Sequence, residues 1–237
     1  MKYLFVLMFL VASVVTISNA QDYETRSVPE FDGVKASHGI EVILQKGSSG
    51  TVEVETRHID PDDIETYVSR GILRIKFKNM SIWNWDDRRY GNRDVKVTVN
   101  YDELIWIESN TGAIVISRNV IKGENMRLEA STGGEMELEL DVTRIEADFT
   151  MGSVVEVKGQ ARILRIKASM GAEVDFRNLD CEIVDARGNM GAVLAVTASK
   201  EADVSANMGA VINIYGSPER RYKSHSFGGE IDFVGHN

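Results

Sequence analysis

Ser169-Met170-Gly171-Ala172-Glu173-Val174-Asp175-Phe176 is one copy of a phrase that this 237-residue chain writes seven times. The seven cores are Asn110-Thr111-Gly112-Ala113, Ser131-Thr132-Gly133-Gly134, Thr150-Met151-Gly152-Ser153, Ser169-Met170-Gly171-Ala172, Asn189-Met190-Gly191-Ala192, Asn207-Met208-Gly209-Ala210 and Ser226-Phe227-Gly228-Gly229. Their glycines lie 21, 19, 19, 20, 18 and 19 residues apart. A coil of that length has no room for a strand plus a long helix. It suits short strands joined by bends, stacked as a solenoid.

Columns aligned on the glycine sort by parity. Three residues after it stand Val115, Met136, Val155, Val174, Leu194, Ile212 and Ile231. Five after it come Leu138, Val157, Phe176, Val196, Ile214 and Phe233, with Ser117 the exception. A two-residue alternation belongs to strands with one buried face. Outward, six before the glycine, Arg127, Glu146, Arg165 and Asp185 alternate in sign, as cross-strand ion pairing requires. Two before it every residue is Asn, Ser or Thr, suited to hydrogen bonding along a bend. The residue after it is always Ala, Gly or Ser, which predicts a crowded inner corner. The same parity predicts that Met151, Met170, Met190 and Met208, one before the glycine, point inward as core filler. Read as a metal column instead, four thioethers would suit copper(I).

The rest of the chain frames these coils. Residues 1–20 read as a cleaved signal peptide: Lys2, then an apolar run from Tyr3 to Ile17, then Ser18-Asn19-Ala20. The apolar run is too short for a comfortable membrane span, and no cysteine near the cut points to a lipid anchor. The lone cysteine, Cys181, has no intrachain disulfide partner and reads as a buried small apolar residue. The formal net charge is −9 and becomes −10 once Lys2 leaves with the signal. An acidic chain is a poor partner for nucleic acid or anionic lipid, and with no other stretch long and apolar enough to span a membrane, no direct membrane insertion is expected after cleavage. Gly39-Ile40-Glu41-Val42-Ile43-Leu44 resembles an early coil and Thr51-Val52-Glu53-Val54-Glu55 a returning strand. A short helix is expected from Pro61 to Ser69, capped by Asp60 and stopped by Gly71. Ser217 to Lys223 breaks the pattern, as the polar cover of a terminal coil should. These features give one all-β solenoid domain over 21–237, with the Gly-centred coils over about 105–235.

The order of these features resembles the bacterial head GIN domain family, whose label is "putative auto-transporter adhesin". The likeness runs from about Val28 to Val234 and rests on the order of signal peptide, Phe31-Asp32-Gly33-Val34, the Gly39–Leu44 strand with Gln45-Lys46-Gly47, the short acidic helix, the Gly-centred coils, Gly216-Ser217-Pro218 and Phe227-Gly228-Gly229. The resemblance implies a single-stranded right-handed parallel β-helix in the cell envelope, with no cofactor and no established activity.

Two stretches carry candidate sites. The segment 79–93 lacks strand alternation and holds Trp83, Trp85 and Tyr90 beside Arg88 and Arg89. Such aromatics stack on sugars or anchor a protein interface; alternatively the indoles plug an edge of the solenoid. Four residues after the glycine, Glu137, Glu156 and Asp175 form an acidic ladder. Adjacent carboxylates repel, and calcium is one relief; a solvated face flanked by Lys158 and Arg177 is the other reading. The four histidines lack metal-ligand spacing, and no nucleophile-elbow, P-loop or zincin motif occurs. The sequence therefore points to a non-enzymatic envelope protein that binds a surface glycan or an envelope or host protein. A structural or stress-related periplasmic protein is the alternative, and a polysaccharide-active enzyme using the Glu137–Glu156–Asp175 face is the third.

Overall fold

A computed structural model describes residues 21–78 and 94–235, and these form a β-solenoid of about seven turns. The N-terminal part builds the first turn and closes its end. Strand β1 (Gln21–Ser27) lies antiparallel to β4 (Thr51–Arg57), while β2 (Gly33–Ser37) and β3 (Glu41–Lys46) are the two sides of an opening coil. The expected helix is not formed. Pro61–Asp63 makes a single 3-10 turn, in which Asp60 Oδ1 accepts from the Asp62 amide at 2.9 Å. The chain then enters β5 (Ile64–Ser69), which pairs antiparallel with β6 (Ile72–Phe77). Asp60 caps the turn as expected, but Ile64, Thr66 and Val68 then alternate β-branched side chains. The Arg70-Gly71 pair, with φ of 55° and 77°, serves as a hairpin turn rather than a helix stop.

Strand β7 (Asp94–Tyr101) pairs with β3 and β4, after which β8 (Trp106–Asn110) and β9 (Ile114–Ser117) stack in parallel on β2 and β3. Ser37 is thereby set beside Asn110 and Glu41 beside Ile114, although 73 residues separate each pair. The next strands are each most of a coil: β10 (Ile121–Ser131), β11 (Glu135–Phe149), β12 (Val154–Ala168), β13 (Glu173–Gly188) and β14 (Val193–Asn207). All neighbours among them run parallel, and Arg127, Glu146, Arg165 and Asp185 occupy one row, as their alternating charges require, before Asp203 ends the alternation. The inward columns form a continuous core, in which Phe149 and Phe176 meet edge-to-face with centroids 6.0 Å apart.

Every coil turns the same corner. The residue before each repeat glycine has φ of 46–66° and the glycine itself 67–77°, a pair that includes His38-Gly39 and makes eight corners. Each glycine amide from Gly133 to Gly209 donates to the carbonyl of the residue before the next glycine, at 3.0–3.2 Å. Inside the corner, Ala113, Ala172, Ala192, Ala210 and Ser153 are fully buried, so the small-residue column is a steric requirement. Along the polar column Ser169 Oγ donates to Thr150 Oγ1 at 3.2 Å and Ser226 Oγ to Asn207 Oδ1 at 2.6 Å. The methionines, however, do not point inward. Two successive left-handed residues rotate the chain out of the strand's two-residue alternation, and Met151, Met170, Met190 and Met208 stand 48–53% exposed on the outside of the corner.

The last turn, β15 (Val211–Tyr215), β16 (Arg220–Ser226) and β17 (Glu230–Val234), keeps the register but changes its chemistry. Where the preceding coil carries Ala202, Val204 and Ala206 inward, β16 aligns Arg221, Lys223 and His225. Arg221 lies over the Phe233 ring at 5.0 Å and donates to the Pro218 carbonyl. Charged residues over the open end of a core discourage further strand addition. Cys181 sits on the buried side of β13, where burial, and then the Asp180 charge, push its thiol up to about 12. Its thiol should therefore fail to react with a disulfide reagent at pH 8 in the folded protein and react fully once denaturant is added.

Candidate binding face

The outward side of the strands that enter each corner forms a long ruled surface. One row runs Trp106, Arg127, Glu146, Arg165, Asp185 and Asp203. The next runs Lys35, Glu108, Glu129, Asp148, Lys167 and Arg187. Ion pairs run along the rows, as at Lys35–Glu108 and Glu146–Arg165, and between them, as at Arg127–Glu129 and from Arg187 to Asp185 and Asp203. Lys35 Nζ lies 2.6 Å from Glu108 Oε1, Arg127 Nε 2.5 Å from Glu129 Oε1, and Arg165 Nη1 3.7 Å from Glu146 Oε1. Arg187 bridges Asp185 at 2.8 Å and Asp203 at 3.2 Å. The Arg127 guanidinium also lies 5.8 Å from the Trp106 ring centroid. A shallow groove of about 320 Å³ follows this grid, with Arg127, Glu146, Arg165, Lys167, Asp185 and Arg187 on its walls. Fixed donors and acceptors of both signs at a regular spacing suit a polar, extended ligand laid along the rungs. Trp106 was not singled out by sequence reasoning. Its signal was its place six residues before Gly112, the column that holds Arg127 and Glu146 in the following coils.

The acidic ladder is real in its geometry. Glu137 pairs with Glu156 and Glu156 with Asp175 on three adjacent rungs, between Ile116 at one end and Ala195 at the other. Its third member is already engaged. Arg177 Nε lies 2.9 Å from Asp175 Oδ1 and 3.1 Å from Oδ2, and Nη2 closes a second contact to Oδ2. Hydrogen bonding from Arg177 holds the Asp175 carboxyl below its ordinary range. Among the described residues, no group of three or more His, Cys, Asp or Glu is placed to hold a metal ion. A depressed folded pKa stabilises above the unfolded value of about 3.9 and is lost as pH falls through the folded one. Asp175→Asn should therefore lower the Tm at pH 7 by roughly 1–3 °C, the modest effect of a surface pair, and the difference should shrink as the pH falls below the ordinary carboxylate range.

The corner that borders the charged face carries an apolar ridge. Met151, Met170, Met190 and Met208 follow one another on successive coils, and Phe227, 83% exposed, ends the row. Val154 and Val193, 46% and 42% exposed, stand on the strands that leave the corner. Exposed apolar groups collected in one strip mark interaction surfaces more often than scattered ones. The aromatic candidates Trp83, Trp85 and Tyr90, with Arg88 and Arg89, lie outside the described residues.

Residues 30–218 match the family model described as "Putative auto-transporter adhesin, head GIN domain". The chain belongs to the head GIN domain family. No curated protein matches this head GIN chain. Among solved structures it is similar to a "putative adhesin" of Bacteroides fragilis at 18% identity and a TM-score of 0.76, covering 90% of this chain and 97% of that one. A "putative lipid binding protein" of Parabacteroides distasonis aligns at 14% identity and 0.68, over 90% and 97% of the two chains. A "putative adhesin" of Parabacteroides merdae aligns at 10% identity and 0.68, over 90% and 96%. At these identities the likeness is one of fold.

Proposed function

We propose that this head GIN protein is exported and acts, without catalysis, as an adhesin-type module that binds a glycan or protein of the envelope or of a host surface. The observation that carries this reading is the charged face itself: two rows of fixed ion pairs, continued over successive rungs and bordered by an exposed apolar ridge. Such a face offers an extended partner many weak contacts in register, which add through multivalency. Residues 1–20 supply the export signal, and the acidic net charge disfavours nucleic acid. Trp83, Trp85 and Tyr90, with Arg88 and Arg89, are proposed as additional contacts, because exposed aromatics stack on sugars and anchor interfaces. Protease treatment of intact cells tests the reading. Digestion of this protein, while a periplasmic control survives, supports an adhesin. Protection until the outer membrane is opened overturns surface adhesion and leaves a structural periplasmic role. Once a ligand is in hand, Trp83→Ala/Trp85→Ala should weaken its binding at unchanged Tm.

A further inference from the structure

The ridge holds a chemical signature that adhesion by itself does not demand. The first position of each corner is left-handed, where Asn, Asp or Gly sits at least cost and other L-residues are strained by about 1–2 kcal/mol. Four successive coils place methionine there, at φ of 46–52°, with the side chain outside the core and about half exposed. Neither turn propensity nor core packing explains four thioethers at such a position. Their spacing is set by the backbone: the Gly152 amide donates to the Met170 carbonyl at 3.1 Å, Gly171 to Met190 at 3.1 Å, and Gly191 to Met208 at 3.0 Å. Adjacent rungs of a sheet are about 4.8 Å apart. Taking the zinc–thiolate distance of about 2.3 Å as the scale of a metal–sulfur bond, one ion held between two opposed sulfurs spans ~4.6 Å, nearly one rung. Three rotatable bonds in each side chain absorb the difference.

From this arrangement we propose that Met151, Met170, Met190 and Met208 form a soft-metal ladder that binds copper(I), each ion held between sulfurs of neighbouring coils. Thioethers are neutral and soft, so they select copper(I) over calcium or magnesium, and the acidic chain raises the local cation concentration. Because a thioether takes up no proton in this range, the site binds equally at pH 5 and pH 8, unlike a histidine or thiolate site.

Silver(I), a redox-inert probe of the same softness, is titrated into protein labelled with 13C at the methionine methyls, with signals assigned by single Met→Leu substitutions. The wild-type chain and Cys181→Ala are run in parallel, so that capture by the thiol is separated. The four ridge methyls should shift, while those of Met126 and Met136, 2% and 3% exposed, stay fixed. Competition against a chromophoric copper(I) chelator, without oxygen, should then show affinity at least ten-fold lower in Met170→Leu/Met190→Leu, at unchanged Tm and with no difference between pH 5 and pH 8. Leucine keeps the apolar surface of the ridge, so its failure to bind metal is distinct from any loss of adhesion. Unmoved ridge methyls, wild-type affinity in the leucine variant, or a ten-fold fall in affinity from pH 8 to pH 5 each overturn the proposal.

Discussion

Gly159→Ala is expected to cost at least about 3 kcal/mol of unfolding free energy, or to prevent folding altogether. Gly159 lies on the bend of β12 at φ 114°, a conformation that side-chain-bearing residues rarely adopt. A Cβ there would sit 2.1 Å from the carbonyl oxygen of Leu140, and 3.1 and 3.2 Å from its carbonyl carbon and amide nitrogen. Those atoms belong to the neighbouring coil's backbone, and Leu140 is itself fully buried, so nothing nearby can yield without breaking the parallel pairing of Leu140 with Gly159. For a chain of this size the loss corresponds to a fall in Tm of roughly 10 °C. Gly152→Ala is the control. Gly152 also has positive φ, 67°, yet a Cβ there meets no atom within 4 Å, so only the conformational term of about 1 kcal/mol applies. Urea denaturation of both variants decides the matter. Equal, small losses would mean that the close approach of the two coils at Gly159 is not needed.

The second large effect concerns the aromatic pair. Phe176→Ala should destabilise the protein by about 3–5 kcal/mol, through lost burial plus a cavity that flanking rungs cannot close. Phe149 and Phe176 are both fully buried and pack at 75°, so truncating either also removes an edge-to-face contact. Coils above and below hold their spacing through backbone hydrogen bonds, which keeps the void open. Phe233→Ala, in the last coil, should cost much less, because that ring is only partly buried and covered by Arg221. In a solenoid each coil contacts only its neighbours. A defect at Phe176 therefore weakens the coupling between the two halves, whereas one at Phe233 frays an end. Comparing the sharpness of the two unfolding transitions, besides their midpoints, tests that distinction.

Much of the architecture was legible because parallel in-register stacking translates sequence period into spatial rows. Arg127, Glu146, Arg165 and Asp185 were aligned from spacing alone, and the strands pair them in that order. The small residues after each glycine and the polar cover over the last coil follow from the same logic. Three features were not legible in this way. The methionines were assigned to the core by a parity that holds along a strand and fails across two left-handed residues. The segment after Pro61 has good helix-start residues, and only pairing with β6 makes it a strand. The union of Asp175 with Arg177 removes one carboxylate from the acidic ladder, and side-chain geometry alone decides that.

Sequence by itself determined the coil, its period, its inward columns and the family, because each depends on neighbours about one coil apart along the chain. Tertiary structure decided which residues the corner turns outward, how residues 33–46 join the stack beside residues 106–117, and where the two charged rows meet as one face. Those outcomes rest on backbone dihedral angles at the corners and on pairings between distant segments, neither of which leaves a periodic trace in the sequence.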